Sequence, residues 1–302
     1  MAATEKEASA ESKTPTQRDA STAAFEFVRD LSAELSASKI ELPSYPEVAS
    51  QVQKVLSEEN CSSERVVRVM GAEPVLATRV LTMANSAALN PGGKQITELR
   101  TAVTRLGFDA LRAATVSFVM AQLRSAGQYK ALQRYLDALW QQSVLIASLC
   151  FVVSRRVGKI NSDTALLTGL VHGVGKLYIL TRSVRHPALF ADQEMYQHIV
   201  NDWHGSIAKV LLENWGMAED IVNAVHSHTD DTRQTRGPGA VLADVLEVAL
   251  TLAPCKQLPE LLVPRISALK AAARLELTPE SCEALMAESA EELAALRSAL
   301  GQ

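Results

Sequence analysis

The sequence predicts an all-α protein, and three features of the chain lead to that prediction. Apolar residues recur every three or four positions through successive segments, which is the spacing that places them on one face of a helix. Alanine and leucine are abundant while aromatic residues make up only 5% of the chain, and this composition favours helix over strand. No convincing strand pattern and no repeat of fixed period is present, so we expect a multi-helix bundle.

Length and charge limit the classes of function. The 302 residues can bury a sizeable core, and the hydrophobic and charged fractions of 47% and 21% are typical of globular proteins. The net charge of -4 argues against general binding to nucleic acid or to anionic membranes. Four widely separated cysteines indicate free thiols in a reducing compartment. We expect no membrane-spanning stretch and no signal peptide, and therefore a cytoplasmic location.

The first part of the chain predicts a polar tail followed by short helices. Residues 1–21 are rich in Ala, Ser, Thr, Glu and Lys, and we expect a flexible tail there. Periodic apolar positions predict the first helix at about residues 22–38. Proline and capping signals at residues 42–47, 60–63 and 73–74 precede the next three helices.

The middle of the chain predicts longer and more apolar helices. Thr97 is expected to cap a helix that Gly107 stops, and residues 108–123 are apolar all round, as in a buried helix. Residues 129–157 predict one long helix, or two helices separated near Gln141. Ser162 or Asp163 is expected to cap the helix that follows and runs to Leu177.

The last third predicts further helices, at about residues 187–200, 202–215, 217–228 and 240–252. Residues 231–239 are polar and contain Gly-Pro-Gly, so we expect a mobile loop. Residues 258–300 predict two amphipathic helices, split at Leu277-Thr278-Pro279.

The stretch Leu-Val-His-Gly-Val-Gly-Lys-Leu at residues 170–177 carries the most information about function. It resembles the His-Asp-x-Gly-Lys signature helix of the HD metal-dependent phosphohydrolases, except that Gly173 follows His172. In that superfamily the adjacent His and Asp both bind metal. Glycine has no side chain, so the resemblance implies the scaffold of a hydrolase without the centre of its chemistry.

Four segments, in order, resemble the HDOD family, the HD-related output domains. They are Leu-Pro-Ser-Tyr-Pro at 42–46; Glu-Pro-Val-Leu at 73–76 with Ala-Asn-Ser at 84–86; Ile-Thr-Glu-Leu at 96–99 with Leu-Gly at 106–107; and the 170–177 stretch followed by His204, Trp215 and His226-Ser227-His228. The resemblance implies an HD-like helical bundle in two packed halves, of the kind found in bacterial signalling proteins.

This resemblance also implies a domain organisation. The HDOD domain would cover residues 22–235. Its N-terminal helical half would lie at about 37–127 and its HD-like half at about 128–251. The C-terminal helices, residues 240–302, would pack on the HD-like half.

A hydrolase of this superfamily needs a divalent cation held by four converging side chains. The resemblance places Gln142 at the first histidine, His172 and Gly173 at the His-Asp doublet, Lys176 at the family lysine and Asp244 at the last aspartate. Gln142 is a neutral amide and Gly173 offers no ligand, so about half of the ligand set is missing. We therefore expect no catalytic residue, a cavity partly filled by side chains, and mid-helix glycines that allow close packing.

Four histidines leave a partial metal site open as an alternative. His172, His204, His226 and His228 could gather in one cavity, and imidazole is a good ligand for Zn or Fe. His226 and His228 are two apart on a helix and therefore point to different faces. The other interpretation is that these histidines are half-buried and hydrogen-bond to backbone carbonyls or carboxylates.

The predicted function is a non-catalytic output or adaptor domain of bacterial signal transduction, which acts through contacts with signalling proteins. Two alternatives stay open: a degenerate phosphohydrolase that keeps a partial histidine metal site, and a nucleotide sensor whose ligand lies near Lys176. No cofactor is expected, and a divalent metal enters only with the first alternative. No membrane partner and no general nucleic-acid binding are expected, and the sequence contains no signal for an oligomeric state.

Overall fold

The structure is a computed structural model of the chain, and it describes residues 15–37, 40–42, 45–58, 60–228 and 238–301. Over these residues the secondary structure is helical, without strands, which confirms the all-α prediction. The α-helices, in chain order, are α1 (Pro15–Ser36), α2 (Glu47–Leu56), α3 (Ser63–Gly71), α4 (Pro74–Ala84), α5 (Leu99–Ser125), α6 (Gln133–Val157), α7 (Ser162–Val171), α8 (Val174–Arg182), α9 (Gln193–Asn214), α10 (Glu219–Ser227), α11 (Pro238–Cys255), α12 (Leu262–Ala268), α13 (Lys270–Arg274), α14 (Pro279–Glu288) and α15 (Ala290–Ala299). Short 3-10 helices lie at Gly127–Leu132, Ser183–Arg185, Pro187–Ala191 and Pro259–Leu261.

The N-terminal half is built on α5, against which α2, α3 and α4 pack. Gly107 interrupts α5 with φ 73° and ψ 173°, in a backbone region that glycine adopts without steric cost. The helix therefore kinks at the residue that the sequence predicted as a stop. Beyond the kink, the segment from Ala110 to Val119 is almost wholly buried, as its all-round apolar sequence predicted.

The HD-like half is organised around α6, which packs against α7 and α11. Helices α8 and α9 form a second pair, and α10 joins α9 to α11. The two halves meet where α5 packs against α7. This arrangement agrees with the predicted bundle of two packed halves.

The C-terminal helices contact both halves of the molecule. Helix α13 packs on α11, and α14 and α15 pack on α6, all within the HD-like half. Helix α15 also contacts α4, and the buried Ser117 hydroxyl of α5 donates a 2.7 Å hydrogen bond to the carbonyl of Leu300. The end of the described chain therefore ties the N-terminal half to the HD-like half.

Helix α1 docks onto the HD-like half through one carboxylate. The hydroxyl of Tyr178 donates a 2.5 Å hydrogen bond to Glu34, and Arg182 forms an ion pair with the same side chain. Phe27 packs edge-on against His186, with ring centroids 5.4 Å apart. Polar and apolar contacts together thus hold the first helix.

Several predicted boundaries were wrong. Helix α1 begins at Pro15, inside the predicted tail of residues 1–21, of which residues 1–14 lie outside the described part of the chain. The break predicted near residue 201 does not exist, because α9 is continuous from Gln193 to Asn214. Of the predicted loop 231–239, residues 231–237 lie outside the described residues, and α11 already begins at Pro238.

Two predicted caps are also corrected. The side chain of Asn161, not that of Ser162 or Asp163, caps α7 by accepting the N–H groups of Asp163 and Thr164 at 2.7 and 3.2 Å. At the start of α5 the capping position falls on Glu98 rather than Thr97, and no side-chain cap forms there.

The prediction that no apolar stretch could span a membrane is corrected as well. Two helical stretches, Gly127–Val157 and Ser162–Arg185, are long and apolar enough by length and composition alone. Their most apolar windows are 67% and 89% buried inside the fold, as in the core helices of a folded bundle. The four cysteines are free thiols, as predicted.

Candidate functional site

The stretch that resembles the HD signature forms a corner between two helices. Helix α7 ends at Val171, His172 is its C-cap, and Gly173 is the N-cap of α8 with φ -88° and ψ 5°. The predicted continuous helix is therefore broken at the His-Gly pair. Gly173 was expected inside a helix, but it lies at a helix end. The loss of stability that glycine causes in a helix interior therefore does not apply at this position.

Close packing explains the other glycine of the stretch. A Cβ atom built on Gly175 would lie 1.9 Å from the carbonyl oxygen of His204, so α8 approaches the backbone of α9 directly. Gly169 on α7 is similar, with the Cα atom of Ala147 on α6 only 2.6 Å from its hypothetical Cβ. These contacts fix the corner between α6 and α9.

The space beside Gly173 is small. A Cβ atom there would lie 3.3 Å from the Ser143 hydroxyl oxygen and 3.5 Å from a methyl carbon of Leu139. The adjoining cavity has a volume of about 20 Å³, and Trp140 and Leu177 are among the side chains that line it. This volume suffices for about one water molecule. The expected filling of the ancestral cavity by side chains agrees with this geometry.

Three histidines near the corner share one hydrogen-bonding pattern. The Nδ1 atom of His172 lies 2.6 Å from the carbonyl of Gly169, while His204 and His228 make the same contact with the carbonyls of Val200 and Val225 at 2.8 Å. A carbonyl only accepts, so each Nδ1 atom carries the proton and each Nε2 atom is the acceptor. Backbone hydrogen bonding was one of the two interpretations that the sequence left open.

These histidines and Lys176 form a basic cluster. Burial and, less strongly, the charges of Lys176, His228 and His204 lower the pKa of His172 to about 3, against the opposing effect of the Gly169 carbonyl. Burial and then Lys176 also lower the pKa of His204. Burial lowers the pKa of Lys176 itself. The cluster therefore favours neutral imidazoles at His172 and His204.

The remaining predicted site residues lie elsewhere. Gln142 is exposed, because neighbouring residues on a helix point about 100° apart and Ser143 is the one that faces Gly173. His226 is exposed, whereas His228 is buried, as their spacing predicted. Asp244 is buried, and its carboxylate accepts two hydrogen bonds from Arg274, at 2.8 and 2.5 Å.

These residues do not fit the metal centre that the resemblance implies. Gly173 supplies no ligand, Gln142 points away from the corner, and the Asp244 carboxylate is already bound by a guanidinium group. Within the described part of the chain, no group of three or more His, Cys, Asp or Glu side chains is arranged to hold a metal ion. What this region offers is a partly buried cluster of three histidines and Lys176.

Two residues that matter here were missed from the sequence. Ser143 shares the helical phase of the buried residues Trp140 and Ala147, which is a signal that the sequence does contain. Arg274 lies 30 residues from Asp244 and on a separate helix, so no local pattern connects the two side chains. Only the packing of α13 on α11 reveals that pair.

The depressed pKa of His172 predicts a loss of stability in acid. The folded state keeps this imidazole neutral down to a pKa of about 3, whereas the unfolded chain takes up a proton below about 6.5. Stability is therefore fully present above pH 6.5 and falls as the pH drops towards 3. Between pH 7 and pH 5, urea titrations should show the wild type losing about 2 kcal/mol more than His172→Asn. An identical pH dependence for the two proteins would contradict this assignment.

Known proteins resemble this chain in sequence and in fold. The sequence profile described as the HDOD domain matches residues 42–231, which is more than half of the chain. Among curated proteins, none matches the chain. The solved structures that are similar share less than 25% sequence identity with it and therefore support the fold alone.

Three of these structures cover nearly all of the chain. A protein of Shewanella amazonensis provisionally named a metal-dependent phosphohydrolase is 23% identical, with a TM-score of 0.69 over 92% of this chain and 99% of its own. An HDOD domain protein of unknown function from Geobacter sulfurreducens is 19% identical, with a TM-score of 0.61 over 95% and 98%. A protein of Marinobacter aquaeolei provisionally named for signal transduction is 21% identical, with a TM-score of 0.57 over 95% and 66%.

Proposed function

Because the chain belongs to the HDOD domain family, we propose that it is a non-catalytic signal-transduction domain that acts through contacts with signalling proteins. One structurally similar protein is named for signal transduction and another for metal-dependent phosphohydrolysis, so the two names point to different functions. The side chains at the HD corner favour the signalling role.

The carrying observation is the incomplete ligand set. A phosphohydrolase centre needs carboxylates or neutral imidazoles that converge on a divalent cation. Here the position after His172 is a glycine, Gln142 points outward, and Arg274 already binds the Asp244 carboxylate. An HD scaffold in this state supplies a rigid helical platform rather than a reaction centre.

Metal content and turnover together test the non-catalytic part of the proposal. Protein purified without chelator should contain far less than one equivalent of Fe, Mn or Zn by elemental analysis. Hydrolysis of bis-p-nitrophenyl phosphate with added Mn²⁺ should stay at the rate of the buffer blank. Stoichiometric metal with metal-dependent turnover would instead establish the degenerate hydrolase.

Site-specific crosslinking in the cell tests the signalling part. A photoreactive amino acid at the exposed Ser50 of α2 should capture one dominant protein, identified by mass spectrometry. The same group at the exposed Glu283 of α14 is the control, since it lies on the C-terminal helices. Equal and diffuse crosslinking at both positions would count against a specific partner on the N-terminal half.

Gly173→Asp should not restore hydrolysis. The Cβ atom would lie 3.3 Å from the Ser143 hydroxyl oxygen, which must shift slightly. The carboxylate must enter a cavity of about 20 Å³ bordered by Trp140 and Leu177, and Gln142 still points outward. We expect turnover at the blank rate and a loss of about 1–3 kcal/mol in the free energy of unfolding, because a charged group is buried. A metal-dependent phosphodiesterase signal from this variant would show that the first ligand has been misplaced.

A further inference from the structure

A second site lies away from the HD corner, in a groove where the N-terminal half meets the turn between α9 and α10. Its volume is about 710 Å³, within the range of pockets that bind small ligands or short peptide segments. Leu42, Gln53 and Trp215 are buried on its floor. We call this feature the junction groove; its exposed rim consists of Glu41, Ser50, Lys54, Ser57, Glu213, Asn214 and Gly216.

The floor of the junction groove contains polar atoms without partners. Gln53 is only 4% exposed, yet neither its Oε1 nor its Nε2 atom has a hydrogen-bond partner among the described residues. The hydroxyl of Tyr45 also lines the groove, close to the Gln53 amide, and it forms no hydrogen bond of normal distance and angle with the described residues. Buried polar groups are nearly always hydrogen-bonded, because leaving one unpaired costs stability. Two such side chains at one groove therefore point to a missing ligand.

The sequence around Gln53 makes its burial unusual. Gln53 lies on the face of α2 that also buries Ala49, Val52 and Leu56, where an apolar residue would ordinarily pack. Burial raises the pKa of the Tyr45 hydroxyl, and the nearby Gln53 amide partly lowers it, so the hydroxyl remains a protonated donor. The Tyr45 ring packs against Trp215 with centroids 5.3 Å apart, which gives the groove an aromatic wall.

The junction groove is held in shape by hydrogen bonds across it. The Ser57 hydroxyl lies 2.8 Å from the carbonyl of Gln53 and 3.3 Å from that of Gly216. On the other side, the Asn214 amide donates to the carbonyl of Ile40 at 3.1 Å. Gly216 has φ 62°, and a Cβ atom on it would lie 2.4 Å from the Ser57 hydroxyl. These hydrogen bonds join the two halves of the protein beside the groove.

We propose that the junction groove binds an extended peptide segment of a partner protein, with the Gln53 amide paired to a backbone amide of that peptide. A primary amide presents one acceptor and one donor in a plane, which matches the C=O and N–H of a peptide unit. The Tyr45 hydroxyl donates to, or accepts from, the next polar atom. This inference rests on the proposed signalling function and names the surface that would carry it.

The charge of the rim favours a peptide over a nucleotide. Glu41 and Glu213 are acidic and Lys54 is basic, so these three rim side chains sum to one negative charge. Phosphate groups would meet two carboxylates, whereas a neutral peptide backbone would meet no net repulsion. The nucleotide-sensor alternative, whose ligand is expected near Lys176, is therefore not favoured at this groove.

Peptide selection on the full-length chain tests the proposal. A phage-displayed library of random dodecapeptides is enriched on the wild type, and the selected peptides are synthesised and measured by fluorescence polarisation. Gln53→Met should raise their Kd at least tenfold. Gln51→Met is the matched control, since this exposed amide on the same helix lies outside the groove and contacts Glu47, and it should leave the Kd unchanged.

Thermal unfolding supplies an independent readout. Replacing an unpaired buried amide by a side chain of similar shape removes a destabilising feature, so Gln53→Met should raise Tm by about 2–4 °C. A lowered Tm would show that the amide has a structural partner and would overturn the proposal. Three other results would also overturn the proposal. The library could fail to yield enriched peptides, or the selected peptides could bind Gln53→Met as tightly as the wild type. Micromolar cyclic di-AMP could also displace the selected peptides. If the Gln53→Met variant with the photoreactive group at Ser50 still crosslinks its partner as strongly as the wild type, the junction groove is not the binding site. The proposed function would be unaffected by that result.

Discussion

Gly175→Ala should destabilise the protein by about 3 kcal/mol or more, at the upper end of what overpacking a core costs. The added Cβ atom would lie 1.9 Å from the carbonyl oxygen of His204, 2.8 Å from its carbonyl carbon and 3.1 Å from the amide nitrogen of Ala208. All three are backbone atoms, which cannot rotate away as a side chain can. Helix α8 would have to separate from α9 along its whole contact.

The measurement is the free energy of unfolding from urea titration at pH 7. Gly127→Ala is the control, because no atom lies within 4 Å of the Cβ position there and the loss of unfolded-state entropy is mildly stabilising. We expect that variant to change stability by less than about 1 kcal/mol. If Gly175→Ala also cost under 1 kcal/mol, α8 and α9 would not be as tightly apposed as the structure has them.

Close packing explains why the HD-like stretch contains glycines. Gly175 contacts the α9 backbone at His204, so its role is in packing and requires no metal chemistry. Gly169 does the same for α6 and α7. Packing alone therefore explains these two glycines, because the corner they permit holds α6, α7, α8 and α9 together.

Much of the fold could be predicted because most helices carry their own signals. Gly107 marked the kink of α5, and Pro279 after Thr278 marked the start of α14, where Thr278 and Ser281 form a capping box. The break at His172 and Gly173 escaped prediction because apolar residues continue on both sides of it with helical spacing. The start of α1 escaped because its first turns, from Pro15, have the composition of a tail.

The candidate site was less predictable, because it depends on which side chains meet across helices. Placing Gln142 at the corner required the exact phase of α6, and an error of one residue turns a side chain from the interior to the surface. His172, His204 and His228 lie near one corner of the fold, which the sequence motifs had indicated. Their hydrogen bonds to carbonyls three or four residues earlier depend on rotamers that a sequence does not specify.

Arg274→Met should destabilise the protein by about 2–4 kcal/mol, because it strips a buried carboxylate of its bidentate partner. The Asp244 side chain is 5% exposed and accepts both of its short hydrogen bonds from Arg274, at 2.8 and 2.5 Å. The guanidinium side chain is 29% exposed, so water compensates it partly and the cost falls below that of a fully buried pair.

The control for this experiment is an exposed ion pair of similar length. Arg100 and Glu64 lie 2.6 Å apart with side chains 59% and 61% exposed, so Arg100→Met should cost less than about 1 kcal/mol. Equal costs for the two variants would show that the Asp244 carboxylate is adequately hydrated. Combining Arg274→Met with Asp244→Leu should recover most of the loss, because it removes the buried carboxylate that lost its guanidinium partner.

The same pair separates the two interpretations of the HD corner. If Asp244 had remained a metal ligand, Arg274→Met would release its carboxylate and raise the metal content of the purified protein. We expect no gain in bound Fe, Mn or Zn, because Gly173 still supplies no ligand and Gln142 still points outward. On that outcome, the ion pair between α11 and α13 stabilises the fold and does not conceal a metal ligand.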